Sequence, residues 1–345
     1  MRHGWTAPGI MTRMSETVVI VGGGVALGAR VAALAAADPS VEVTRLDLAD
    51  PAMKDVLSEA DVVVHLGAAD TIGPDGLPAA ANPAEDVAST RVLLEAAASV
   101  GVTRLVVLSS AMVYGAWANN PVPLTEEAPL RPDPGLPYAA ARAEIERLAL
   151  DWREDRDTVT VAVLRPVVSV AAESAAWLAA SPWSASALRA LGRERPSQFL
   201  HLDDLASAID HARSQSLDGP FNVSPDGWLP FDALAELAGP VGRLHLPSGL
   251  KGRLVALRAE IGTAGPPEGW SYTRHPWVVA NDRLRATGWV PRHRNEEVYV
   301  EADPGGPLAS LSARRRQELS LALAAGFIVV GIGAAAWAIR RGRRR

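Results

Sequence analysis

The sequence predicts an α/β fold: a doubly wound parallel sheet, a small C-terminal subdomain, and one apolar helix near the end of the chain. Three observations predict it. A β-branched run from Thr17 to Val21 turns directly into Gly22-Gly23-Gly24. Apolar strand-like segments then alternate with helix-like ones as far as Pro166. Leu319 to Ile339 gives 21 residues with Ser320 as the only polar side chain.

Taken in order, TVVIV is short and wholly apolar, so it reads as a buried strand, and the glycines end it in a tight turn. Ala26 to Ala37 is rich in alanine and leucine and reads as a helix stopped by Asp38-Pro39. Strands follow at VEVTRL (41–46), DVVVHL (61–66), RLVVLSS (104–110) and VTVAVLRP (159–166), with helices over 52–59, 83–100 and 138–153. Such alternation builds a parallel sheet with helices on both faces, a Rossmann-like arrangement. After Pro166 the pattern loosens, and FLHLDDLASAIDHAR (199–213), FNVSPDG (221–227) and DRLRATGWVP (282–291) are its clearest pieces. The expected organisation is a disordered lead at 1–13, a main domain at 14–302, a linker at 303–318, the apolar helix at 319–339 and a basic tail at 340–345.

At 345 residues the chain is long enough to bury a substantial core. It has no cysteine, which excludes disulfides, zinc-thiolate sites and thiol nucleophiles. The net charge of −5 hides an asymmetry, because eight arginines crowd the last 32 residues and setting them aside leaves 26 basic against 39 acidic residues. An acidic main domain argues against nucleic-acid binding, which needs a basic footprint. The 319–339 run is long enough to cross a hydrocarbon core of about 30 Å, with Trp337 as an interfacial anchor, so a membrane helix is expected. The five arginines after it and three before it favour a cytoplasmic C-terminus. Residues 1–13 hold no apolar stretch long enough for a signal peptide, which favours a cytoplasmic main domain instead, and the latter is the expectation.

A strand that ends in glycines and opens a helix lets backbone N–H groups meet a pyrophosphate, so Gly22, Gly23, Gly24 and Gly28 are candidate dinucleotide-binding residues. Gly22 and Gly28 take the outer positions of a GxxGxxG spacing, and Val25 takes the middle one. A side chain there is expected to clash with a cofactor unless Gly23 and Gly24 reshape the turn. Asp47, 19 residues after Gly28 and at the end of VEVTRL, stands where a ribose-binding acid is expected, or else it is a solvated acid in a turn with Asp50.

At SSAMVYG (109–115) and YAAAR (138–142) the sequence resembles the extended short-chain dehydrogenase/reductases, the NAD-dependent epimerase/dehydratases. DLADPAMKDVLSEADVVVHLGAA, VLRP, FLHLDDLA, GPFNV and GWVP extend the likeness over about residues 17 to 292. The resemblance places a cofactor side mainly at 17–165 and a substrate side mainly at 166–300. It implies NAD or NADP as cofactor and puts the family's serine, tyrosine and lysine on Ser110, Tyr138 and Arg142. The tyrosine would exchange a proton with a substrate hydroxyl, the serine would hold that oxygen, and the cation would bind the cofactor ribose and lower the tyrosine pKa. The implied activity is that of a membrane-anchored NAD(P)-dependent epimerase/dehydratase-like oxidoreductase. Its partner would be a small molecule, a sugar nucleotide or a membrane lipid, and a homodimer is compatible with it.

Four departures bear on that reading. Arg142 replaces a compact ammonium with a bulky planar fork. Gly28 to Asp61 is too short for two strands, so VEVTRLDLAD serves as second and third strand together, and Asp47 matches either the ribose acid or the adenine-side acid. Val168 stands where a polar residue is common, and Ser197 replaces an arginine for which Arg193 or Arg195 is a substitute. These departures support the alternative of a scaffold or regulator that keeps the fold with weakened or lost dinucleotide binding. His65 and His201 have no metal-ligand spacing and read as structural.

Overall fold

The computed structural model describes residues 15–68, 71–154, 156–184, 196–237 and 272–302. The first half runs β1 (Glu16–Gly22), α1 (Gly24–Ala35), β2 (Val41–Leu46), α2 (Met53–Leu57), β3 (Val62–Gly67), the short β4 (Thr71–Ile72) and β5 (Pro78–Ala79), α3 (Pro83–Val100), β6 (Arg104–Leu108), α4 (Pro137–Glu154) and β7 (Thr160–Pro166). The second half adds β8 (Val168–Val170), α5 (Ala175–Ala180), β9 (Phe199–His201), α6 (Leu202–Ser214), β10 (Gly219–Val223), α7 (Phe231–Leu237), α8 (Asp282–Ala286) and α9 (Asn295–Ala302).

Six strands form one sheet in the order β10-β7-β6-β3-β1-β2, and every pair is parallel. Successive strand residues face opposite sides, so Val18, Ile20, Val62, Val64 and Val106 enter one core and Val19, Val21, Val63, Leu105 and Val107 the other. Leu27 and Val31 of α1 and Leu205 and Ile209 of α6 cover the first face. Leu93 and Ala97 of α3 and Ile145, Ala149 and Trp152 of α4 cover the second. Burial on both faces is why the central strands read as unbroken apolar runs.

Among the described residues, the sheet on one side of β1 ends after a single strand, β2. A Rossmann sheet in the order 3-2-1-4-5-6 carries two strands there. The single segment 41–46 thus replaces a pair, as its length suggested, and it forms a half-exposed sheet edge.

Helix α3 matches its expected span because its ends are chemically marked. Asn82 accepts a hydrogen bond from the Ala84 N–H at 3.1 Å, Pro83 opens the helix, and Gly101 closes it with φ of 82°.

The expected membrane-anchored localisation is corrected. Among the described residues no helix is long and apolar enough to cross a membrane. The lead, the linker, the 319–339 segment and the basic tail lie outside the described residues, as do Arg193 and Arg195.

Candidate active site

β1 delivers the glycine turn to the carboxyl edge of the sheet. Gly22, Gly23 and Gly24 have φ of 80°, 80° and 61°, a left-handed path open to glycine at little steric cost. The turn packs hard on β3, since a Cβ at Gly22 would lie 1.9 Å from the Gly67 carbonyl oxygen. One at Gly23 would lie 2.4 Å from Leu66 Cδ1. At Gly28 a Cβ would meet the Arg45 guanidinium at 2.8 Å and the Gly22 carbonyl at 3.2 Å.

This turn sends Val25 outward, where it is 84% exposed on the first turn of α1. The left-handed path of the three glycines sets this outward direction. Among the described residues no side chain caps α1, and the N–H groups of its first turn have no acceptor four residues back within the helix. Arg45 bridges to the turn by donating to the Gly24 carbonyl at 2.8 Å. Asp47 is exposed one residue past β2. Its backbone carbonyl closes a turn with the Asp50 N–H at 3.1 Å, while the Asp50 carboxylate is taken up by the Ala52 N–H at 2.8 Å.

Ser110 and Tyr138 do converge. Ser110 follows β6, is fully buried, and accepts a hydrogen bond from the Met112 N–H at 3.1 Å. Tyr138 and Arg142 share one face of α4 by their four-residue spacing. The Tyr138 hydroxyl donates to the Asp75 carboxylate, with its oxygens at 2.9 and 3.0 Å, and the neighbouring Ser110 hydroxyl favours the ionised form of the same carboxylate. Asp75 was not among the expected site residues. Its only sequence signal is the turn Gly73-Pro74-Asp75-Gly76, a composition that marks a turn and nothing about where the turn lands.

Arg142 is 1% exposed. Its guanidinium donates to the Pro78 carbonyl at 2.7 Å and the Leu108 carbonyl at 3.4 Å, and pairs with Asp86 at 3.5 Å. Gly67 makes room for it, since a Cβ there would lie 2.8 Å from Nη1. The arginine thereby ties together β5, the end of β6 and the first turn of α3. Its carbon Cζ also lies 5.1 Å from the centre of the Tyr138 ring.

The electrostatics run against the expected lowering of the tyrosine pKa. Burial pushes Tyr138 well above the usual phenol range and Asp75 adds to the push, although Arg142 pulls the other way. Burial likewise raises Asp75, opposed by its bonds from Ser110 and Tyr138 and by the field of Arg142. His65, at the end of β3, is held down to about 4 by burial and by Arg142, against Asp86. Its Nε2 lies 2.8 Å from Thr90 Oγ1, which itself donates to the Asp86 carbonyl, so Nε2 carries the proton of a neutral ring.

A second buried network adjoins the first and was also unforeseen. The Arg165 guanidinium grips Glu146 at 2.7 to 3.1 Å and donates to the Tyr114 hydroxyl, which donates in turn to Asn222. Nearby, Val168 is buried in β8, and Ser197 is committed to a backbone bridge with Leu229. A recess there is lined by Val167, Val168, Trp183, Gln198, Phe199 and Trp277.

A parallel sheet with a glycine turn after its first strand and a Ser–Tyr pair beside it defines a short-chain dehydrogenase/reductase fold. The chain belongs to the NAD dependent epimerase/dehydratase family, whose profile matches residues 24–224. It is 26% identical over 268 residues to an uncharacterized protein of Mycobacterium tuberculosis, covering 75% of this chain and 69% of that one. Over 116 residues it is 35% identical to a dTDP-glucose 4,6-dehydratase of Streptomyces antibioticus, a match to 33% of each chain. Over 157 residues it is 31% identical to UDP-glucose 4-epimerase 4 of Oryza sativa, covering 44% of this chain and 42% of that one.

Among solved structures, a short-chain dehydrogenase/reductase superfamily protein of Agrobacterium tumefaciens with bound NAD superposes with a TM-score of 0.60 at 20% identity, over 89% of this chain and 99% of that one. A dTDP-glucose 4,6-dehydratase of Bacillus anthracis in complex with NAD gives 0.57 at 15% identity, over 84% and 95%. At those identities the likeness is one of fold. The expectation of a nicotinamide dinucleotide agrees with the family's NAD dependence.

Proposed function

We propose that the chain is an NAD(P)-dependent oxidoreductase of the epimerase/dehydratase type, with Ser110 and Tyr138 as its oxygen-handling pair. One observation carries this reading: the Tyr138 hydroxyl bonds a buried carboxylate that the Ser110 hydroxyl also influences, so the two flank a position that one oxygen of a substrate could occupy. The dinucleotide end fits as well. Gly22, Gly23, Gly24 and Gly28 bring the backbone of the first turn of α1 to the surface with no side chain capping it, and Asp47 lies exposed beside them at the end of β2.

A bound nicotinamide supplies the hydride acceptor. Ser110 would hold the substrate oxygen through its hydroxyl, and Tyr138, once its own proton has left to solvent, would as the tyrosinate take the substrate hydroxyl proton while the carbon loses hydride. The high pKa of Tyr138 in the present arrangement opposes formation of that tyrosinate. Part of the opposition is Asp75 itself, so a substrate oxygen that replaced the carboxylate would leave Arg142 as the nearer influence. The substrate class that suits the relatives, a nucleoside-diphosphate sugar, is part of this proposal.

The reading is tested by calorimetric titration of the full chain with NAD⁺ and with NADP⁺. Saturable binding of either is expected, and binding of neither overturns it. A second reading, a regulator without turnover, is favoured by the commitment of Arg142 to two carbonyls and Asp86. If it holds, the parent binds no dinucleotide, and Val25→Gly with Arg142→Lys restores an affinity that the parent lacks.

A further inference from the structure

Strands β4 and β5 pair antiparallel, Thr71 opposite Ala79 and Ile72 opposite Pro78, so residues 71–79 form a hairpin. Its arms differ in burial, with Thr71 and Ile72 exposed and Pro78 and Ala79 buried. Its tip points inward. The Trp183 indole N–H donates to the Pro74 carbonyl at 2.7 Å, the Ser169 N–H to the Asp75 carbonyl at 2.8 Å, and Arg142 to the Pro78 carbonyl at 2.7 Å. Inside the tip, the Leu77 N–H donates to the Asp75 carboxylate at 3.2 Å.

Two glycines let the tip approach so closely. A Cβ at Gly76, where φ is +83°, would lie 2.2 Å from the Ser169 carbonyl oxygen. One at Gly73 would lie 3.0 Å from the Tyr138 ring. The segment is thus built to seat one fully buried carboxylate against the hydroxyls of Tyr138 and Ser110. A buried carboxylate is costly unless donors satisfy it, and here the Tyr138 hydroxyl and the Leu77 N–H supply them.

We propose that this hairpin tip is an internal ligand: Asp75 fills the oxygen-binding position of the Ser110–Tyr138 pair and closes it, and a small carboxylate competes for the same position. The inference rests on the reading of Ser110 and Tyr138 as an oxygen-binding pair. It does not require a cofactor. In this resting state the pair is satisfied from within, and an external ligand gains access when the tip withdraws.

Chemical rescue tests it. Asp75→Ala empties the position and leaves the buried Tyr138 hydroxyl without its acceptor, so the full chain should melt about 5 °C below the parent. Sodium formate should raise the melting midpoint of Asp75→Ala and leave that of the parent unchanged, with sodium chloride at equal ionic strength as the control. The same rise should be absent in the Asp75→Ala, Tyr138→Phe double variant. If Asp75→Ala does not fold in buffer, its yield on refolding in formate against chloride gives the same readout. No difference between formate and chloride in either measurement overturns the proposal, as does an equal effect on the parent. Failure of the dinucleotide titration would sink the proposed activity and leave this result standing.

Discussion

At the glycine turn the chain is open to the surface: Val25 and Asp47 are exposed and the first turn of α1 is uncapped among the described residues. At the tyrosine centre Ser110, Asp75, Asp86 and Arg142 are all buried and bonded to one another or to backbone. Both regions sit at the carboxyl ends of parallel strands, where ligands of such sheets bind. The contrast lies in what fills them. Water can satisfy an exposed helix terminus until an anion displaces it, whereas buried donors need a partner from the chain. The turn can therefore remain open at rest, while the tyrosine centre is stable closed.

The largest effect should come from the clamp on the closed side. Arg142→Ala removes both carbonyl bonds and strands Asp86 and Asp75 without their buried cation. A loss of about 4 kcal/mol is expected in chemical denaturation. Adding Asp86→Asn should return part of it. If Arg142→Ala were neutral, the closed centre would not depend on this cation.

Gly22→Ala attacks the open side at its root. The new methyl would meet the Gly67 carbonyl at 1.9 Å in a left-handed conformation, and the atom it meets is backbone. A loss of about 3 kcal/mol is expected from the same measurement. A change under about 1 kcal/mol would mean that the turn can be rebuilt without the three-glycine path.

A smaller and pH-dependent effect comes from His65. Its pKa is 6.5 unfolded and about 4 folded, so the neutral ring stabilises the fold above pH 6.5 and that share is lost as pH falls through 4. In His65→Gln the acid loss of stability between those values should be shallower than in the parent, read by denaturation at a series of pH values. Asp75 acts with the opposite sign. Its folded pKa lies above the ordinary 3.8, so its share is present below that value and is lost as pH rises through the folded one. Asp75→Asn should flatten that arm. An unchanged pH profile in both variants would remove the electrostatic distinction between the two regions.

The open side was far more legible in the sequence than the closed one, for physical reasons. Buried parallel strands announce themselves as apolar runs, and α3 is bracketed by Asn82, Pro83 and Gly101, so spans and sheet class follow from local chemistry. The single edge strand followed from chain length alone. Asp75 did not, because its meaning depends on Tyr138, 63 residues away, and its hairpin arms of two residues are too short to show a strand period. The Tyr114–Arg165–Glu146 network is equally non-local. At Val25 the spacing rule names a position but carries no information on the dihedral path of Gly22, Gly23 and Gly24, which turns that side chain outward.

Val25 therefore supports the finest test of the contrast. Its side chain is 84% exposed and lies on the first turn of α1, where removing it forfeits little packing. Val25→Gly should change stability by less than about 0.5 kcal/mol, the range of surface substitutions away from special features. If the outward orientation persists with a dinucleotide bound, the affinity for NAD⁺ should change by less than about threefold in calorimetric titration, since about 0.65 kcal/mol at most is then at stake. A tightening of tenfold or more would show that the side chain obstructs the pyrophosphate after all. The open side would then be partly closed by one methyl-bearing residue, and the difference between the two regions would be one of degree.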